Sequence, residues 1–237
     1  MSAYMPFQRE FVPGRFRRRL NRFLVEADLA GETVLAHLHD PGRMKELLLP
    51  DAGIWLEPAA APGRKTAYTV ALVQHGARLV SVNSILPNRF AEFCLKRRAI
   101  HEFRDYELVG REVRHGRSRF DFHLMAAGID ILLEVKSVTL VQDGTALFPD
   151  APTIRGTRHV NGLVAAAHSG YCGAILFLVQ RDDARWLMPH ATMDPAFAAA
   201  LRDAYRRGIE IVAYTSRLSL TGIELGRRIP VRFAGHE

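Results

Sequence analysis

Residues 130–138, DILLEVKSV, are apolar enough to form a core strand, yet they carry two opposite charges two places apart. Side chains alternate along a strand, so Leu133 and Val135 point one way while Leu132, Glu134 and Lys136 point the other. A carboxylate and an ammonium on a buried face each need a partner, because an unpaired ion in a low-dielectric interior is strongly destabilising. The fold must therefore supply polar surroundings on one side of a core strand. One hairpin earlier lies SRFDFHL (118–124), in which Arg119, Asp121 and His123 are expected on one face and Phe120 and Phe122 on the other. Pairing of the two strands would bring Asp121 near Glu134. Two carboxylates held close repel unless a cation lies between them, and such oxygen ligands suit Mg2+ or Mn2+. Lys136 could then polarise a water or stabilise charge developing on a phosphate, which is the equipment of phosphodiester hydrolysis. On its own, acid–x–lysine is more often an ion pair on an edge strand.

The chain around this hairpin divides into two parts. From Arg17 to Val82 it reads as short strands with turns: RLNRFLVEADLAG, TVLAHLH, GIWLEP, TAYTVALVQHG and ARLVSVN, with a short helix at MKELLL. Five strands with a helical turn suit a small closed barrel, of which the oligonucleotide-binding barrel is one kind among several. After Pro87 the pattern changes. NRFAEFCLKRRAIHEF (88–103) has helical spacing, and strands near 106–113, 119–125 and 130–138 follow. A loop of about twenty residues precedes a helix at about 158–168, and its length points to a functional excursion. The strand GAILFLVQ, the helix DPAFAAALRDAYRRG, the strand IEIVAYTS and a last strand near 218–225 complete an α/β unit with parallel neighbours. The expected domains are 1–84 and 85–237.

Charge points to a partner. The net charge is +7, and residues 1–25 hold six arginines (9, 15, 17, 18, 19 and 22) against Glu10 alone. Guanidinium forks suit phosphate, although a solvated basic strand would have the same composition. The longest apolar runs fall well short of a bilayer span and no apolar segment precedes Arg9, so no membrane partner and a cytoplasmic protein are expected. Cys94 and Cys172 are too few for a disulfide framework and read as small core residues. His37 and His39 read as polar surface rather than as metal ligands. Ser137 and Ser169 lack an evident base, and no glycine-rich phosphate loop is present. Phe23, Trp55 and Tyr68 could stack on bases, but aromatic residues on alternating strands more often fill a barrel core.

Asp121 followed by Glu134-Val135-Lys136 resembles the acid–acid–x–lysine site of the PD-(D/E)XK nuclease superfamily. More closely, the chain is similar to the bacterial sugar fermentation stimulation protein family through NRFLVEADLAG, AHLHDPGRMKELL, GRKTAYTVALV, VSVNSILPNRFAEF, SRFDFHL, LLEVKSVTL, FPDAPTIRGTRHV and AILFLVQR, in order over nearly the whole chain. In AHLHDPGRM it departs from the family's more usual asparagine-threonine before the glycine. The resemblance implies a five-stranded OB-like barrel followed by a PD-(D/E)XK nuclease-like mixed-sheet α/β domain, with DNA binding. It implies Asp121, Glu134 and the Val135 carbonyl as ligands of Mg2+ or Mn2+, Lys136 as the catalytic lysine and Glu92 as an auxiliary acid. The expected nucleic-acid contacts are Arg17, Arg19, Arg22, Arg43, Arg64, Lys65, Arg155, Arg158 and, at a helix N-terminus that favours anions, His159.

Three functions compete at this point. A metal-dependent nuclease uses all of Asp121, Glu134 and Lys136. A catalytically silent DNA-binding regulator of sugar-metabolism genes has no need of a buried carboxylate pair. A carbohydrate-processing enzyme with the two acids as general acid and base would need a sugar cleft that the basic composition does not suggest. RNA as a second ligand and a homodimeric state stay open.

Overall fold

The computed structural model describes residues 3–59, 63 and 65–233. The barrel is made of β2 (Val12–Asn21), β3 (Leu24–Leu29), β4 (Glu32–Leu38), β5 (Gly53–Pro58) and β6 (Tyr68–His75), preceded in the chain by β1 (Tyr4–Pro6). Neighbours run antiparallel in the order β4-β3-β2-β5-β6, and a parallel pairing of Ala36–Leu38 with Tyr68–Val70 closes the ring. Alternation sends Phe16, Val25, Ala27, Ala36, Ile54, Leu56 and Val70 inward. Gly14 is needed where β2 crosses β3, because a Cβ there would stand 2.8 Å from the Asp28 carbonyl oxygen. A sixth strand, β7 (Arg78–Ser81), pairs only with β6, outside the closed ring. The stretch Arg19–Leu29, expected as one strand, breaks at Arg22-Phe23 into β2 and β3, with the Asn21 side chain accepting the Phe23 N–H. MKELLL is a hydrogen-bonded turn rather than a helix. It closes on the Met44 carbonyl, and Met44 itself lies in the left-handed region.

In the second domain, α1 (Leu86–Lys96) leads into β8 (Glu107–His115), β9 (Ser118–Ala126) and β10 (Ile129–Val138). The helix ends at Lys96, short of the expected 103, and Arg98 adopts positive φ. The twenty-residue loop contains β11 (Val141–Gln142) and β12 (Thr145–Phe148), and α2 (Ile154–Ala166) starts four residues earlier than expected because Thr153 caps it, accepting the Gly156 N–H. After it come β13 (Tyr171–Val179), β14 (Trp186–Pro189), α3 (Pro195–Arg206), β15 (Glu210–Leu218) and β16 (Gly222–Ile229). The loop strands β11 and β12 join β14 in a small separate sheet.

The main sheet runs β1-β16-β15-β13-β10-β9-β8, with β10, β13 and β15 parallel at its centre and antiparallel strands on both flanks. The α1 stripe of Leu86, Phe90, Ala91, Cys94 and Leu95 covers one face, and α2 and α3 cover the other. β1 pairs with β16, so residues 4–6 belong to this sheet rather than to the barrel, a correction to the 1–84 boundary. Cys94 is buried as expected, but Cys172 is exposed near the start of β13. Among the described residues, no helix is long and apolar enough to cross a membrane.

Candidate functional site

The ladder between β9 and β10 runs from Ile129↔Ala126 to Leu133↔Phe122 and stops there. Beyond it the strands part, and the Val135 N–H faces the gap. The Asp121 carboxylate fills the missing role, its Oδ2 accepting that N–H at 2.7 Å. N–H and C=O of one residue leave a strand on the same edge, so the Val135 carbonyl opens into the same gap. Phe120 and Phe122, expected on one face, therefore separate. Phe122 packs under α1 and Phe120 under α2, the strand changing face at Asp121 as it leaves the ladder.

Each carboxylate is held from a different helix. From α1, the Asn88 amide donates to Asp121 Oδ1 at 2.6 Å. From α2, His159 Nδ1 bonds Glu134 Oε1, and Lys136 Nζ reaches the same oxygen at 2.6 Å. Glu134 is only 4% exposed, and its Oε2 has no hydrogen-bond partner among the described residues. Burial, then the charge of Glu134, push the Asp121 pKa up to about 6, against the pull of the Val135 N–H, Lys136 and Asn88. Burial would raise Glu134 too, but the His159 hydrogen bond and the Lys136 ammonium outweigh it and hold this carboxyl below its ordinary value. The pair is thus poised unequally: Glu134 keeps its charge while Asp121 is the easier to protonate.

Among the described residues, no group of three or more His, Cys, Asp or Glu side chains gathers as a metal cage. Among the described residues, the carboxylates available to a cation here are those of Asp121 and Glu134, and the Val135 carbonyl supplies a third oxygen. That set of hard oxygens, with one buried carboxylate oxygen unpartnered, fits a divalent cation that retains several waters. Glu92 stands apart, its carboxylate bound to Lys96 at 2.7 Å and Arg111 at 2.9 Å.

Lys136 lies on a cleft of about 450 Å³ between the two domains, whose walls include Arg22, Asp40 and Ser84 on one side and Thr139, Phe148, Asp150 and Thr153 on the other. Arg22, Arg43 and Arg158 are exposed and make no ion pair among the described residues, and Arg155 and Lys65 are exposed as well. Arg17 is paired with Asp28 and Arg18 with Glu26. Arg19 is committed to structure, donating to the carbonyls of Gly42 and Arg22 at 2.6 and 2.7 Å and so tying the 40–43 turn to the barrel. Its partial burial lowers its pKa. Arg64 lies outside the described residues. His159, expected at a helix start, sits in the second turn of α2 and is 3% exposed. Phe23 is 47% exposed and stacked on His37, while Trp55 and Tyr68 are half-buried.

Sequence reasoning missed Asn88, because an amide on an amphipathic helix looks like solvated surface. It also missed Asp40 and Asp150. Both crowd Gly42, where a Cβ would stand 2.9 Å from Asp40 Oδ1 and 2.6 Å from Asp150 Oδ2.

Comparison with known proteins agrees with this architecture over nearly its whole length. Residues 18–82 match the family model described as the SfsA N-terminal OB domain, and 85–222 match the sugar fermentation stimulation protein RE domain. A sugar fermentation stimulation protein homolog of Natranaerobius thermophilus is 43% identical over 224 residues, 93% of each chain. One from Chloroflexus aggregans is 45% identical over 93% of this chain and 85% of its own. A solved structure, Pyrococcus furiosus SfsA in complex with Ca2+, superimposes with a TM-score of 0.90 at 26% identity, covering 98% of this chain and all of the other. Sharing both domains in the same order, with these identities across nearly the full length, the chain belongs to the sugar fermentation stimulation protein family.

Proposed function

We propose that this protein binds nucleic acid, DNA foremost, in the cleft between barrel and α/β domain and hydrolyses its phosphodiester bonds with a divalent cation. The observation that carries the reading is the buried, unpartnered Glu134 Oε2 beside Asp121, with the Lys136 ammonium on the same carboxylate. The complex of Pyrococcus furiosus SfsA with Ca2+ supports a divalent-cation site in this fold. Asp121, Glu134 and the Val135 carbonyl would hold Mg2+ or Mn2+, which supplies Lewis acidity toward a phosphoryl oxygen and lowers the pKa of water. The chain's own groups do the rest. Lys136, 12% exposed at the cleft, is placed to donate to a phosphate oxygen or to orient an attacking water. Arg22 on the cleft wall, with Arg43, Arg155, Arg158 and Lys65 exposed elsewhere on the surface, adds to a positive field that draws in a polyanion.

The test is cleavage of single- and double-stranded DNA and RNA with Mg2+ or Mn2+ against a chelator control. Lys136→Ala is expected to lose cleavage by about 100-fold or more, with affinity for DNA changed little because Lys136 is one phosphate contact among several basic groups. A second reading, a silent nucleic-acid binder, draws on Glu134 Oε1 being fully engaged by Lys136 and His159 within the protein. It takes the lead if wild type, free of contaminating nuclease, binds DNA but cuts none of these substrates.

A further inference from the structure

His159 stands on α2 with both ring nitrogens engaged. Nδ1 bonds Glu134 Oε1, and Nε2 lies 3.4 Å from Arg155 Nε. Arginine carries only donors, so Nε2 must offer its lone pair, and the ring proton is therefore on Nδ1 and donated to the carboxylate. Phe120 packs against the ring edge to face, 6.1 Å between centroids. The helix carrying the ring is fixed in turn: Thr153 caps it, and the Thr153 N–H donates to Asp194, the residue that caps α3.

A lone carboxylate on a strand can rotate and present either oxygen. Here two donors, His159 Nδ1 and Lys136 Nζ, converge on Oε1, and the other oxygen is left without a protein partner. We infer that His159 is the positioning residue of the cation site, with Arg155 bracing the ring from its Nε2 side: the imidazole locks Glu134 so that Oε2 alone faces the cation. This rests on the divalent-cation reading above. It also gives the exposed Arg155 a second task, since its side chain reaches inward to the ring while its position at the start of α2 faces the surface. A hydrogen-bond partner behind a metal ligand typically accounts for about 10- to 100-fold in metal affinity.

Two measurements test it. In cation-free protein labelled with 15N at histidine, with the His159 signals assigned by their loss in His159→Asn, the ring is expected as the Nδ1–H tautomer with Nε2 unprotonated. An Nε2–H ring overturns the inference. Titration of Mn2+ is expected to show about 10- to 100-fold weaker binding for His159→Leu. His159→Asn, whose amide N–H can stand where Nδ1–H stood, is expected to recover most of that loss, which a mere packing role would not predict. Arg155→Ala removes no buried group, so it should fold, and it is expected to keep the Nδ1–H tautomer that Glu134 dictates while weakening Mn2+ a few-fold as the ring loses its second anchor. Wild-type affinity in folded His159→Leu overturns the positioning role alone, whereas absence of Mn2+ binding by wild type overturns the cation reading and this role with it.

Discussion

At Asp121, folding and the proposed chemistry pull against each other. Its pKa is pushed up to about 6 from 3.8, first by burial and then by Glu134, so the folded protein holds this proton more tightly than the unfolded chain does. Between those two values the native state binds more protons, and stability falls as pH rises; the contribution is fully present below about pH 4 and lost through about pH 6. Above that, an ionised and desolvated Asp121 destabilises by on the order of 3 kcal/mol. Asp121→Asn is therefore expected to raise the Tm at pH 8 by roughly 5 to 10 °C in chelator, to leave it near wild type at pH 4, and to abolish stabilisation by Mn2+. Scanning calorimetry at the two pH values decides this; a lower Tm for the variant at pH 8 would mean that the charge stabilises the fold. Glu134 and Lys136 were readable from residue type and strand parity, and Asp121 from its place in the preceding strand, although the parity expected of that strand breaks at Asp121 itself. Asn88 and the buried setting of His159 were not, because which face of a helix meets the sheet depends on packing from distant segments.

Among the elements, β2 separates arginines that look equivalent in sequence. Arg17 and Arg18 reach across to acids of β3, and Arg19 ties down the 40–43 turn, while Arg22, at the β2–β3 turn, is exposed on the cleft. DNA affinity is expected to fall steeply with salt, and Arg22→Ala to reduce the slope of log K against log salt by about 1, with Arg17→Ala having a smaller effect. Equal effects, or a salt-independent affinity, would remove Arg22 from the phosphate path. Helix α2 is the element whose start matters most. Thr153→Ala removes its cap and is expected to cost about 1 kcal/mol, readable by denaturant titration, and to loosen the hold of His159 on Glu134. The start was misplaced by sequence spacing because Thr153 gains a second anchor, Asp194, 41 residues away.

For the whole molecule, the N-terminal segment is a clasp. β1 adds an edge strand to the α/β sheet before the chain crosses to the barrel, and Ala3 and Met5 pack into the core beneath α1. Removing residues through Pro6 is expected to lower the Tm by several degrees although the barrel loses nothing, and circular dichroism melts would show it. An unchanged Tm would make β1 an ornament. Ion pairs of Arg78 with Asp182 and the Met44 N–H on Asp150 also bridge the halves, which keeps the cleft between them. Alternation and helical periodicity by themselves determined the two-part order of barrel-like strands then α/β domain and put Asp121 and Glu134 on neighbouring strands, because those patterns are local properties of the chain, while their reading as one site with Lys136 came from the family resemblance. Only the tertiary structure decided that the β9–β10 ladder stops at Leu133, that β1 leaves the barrel, and which arginines are already spent on acids or carbonyls. Those outcomes depend on where segments far apart in the chain compete for the same hydrogen-bond donors and the same buried surface, and no local pattern encodes that competition.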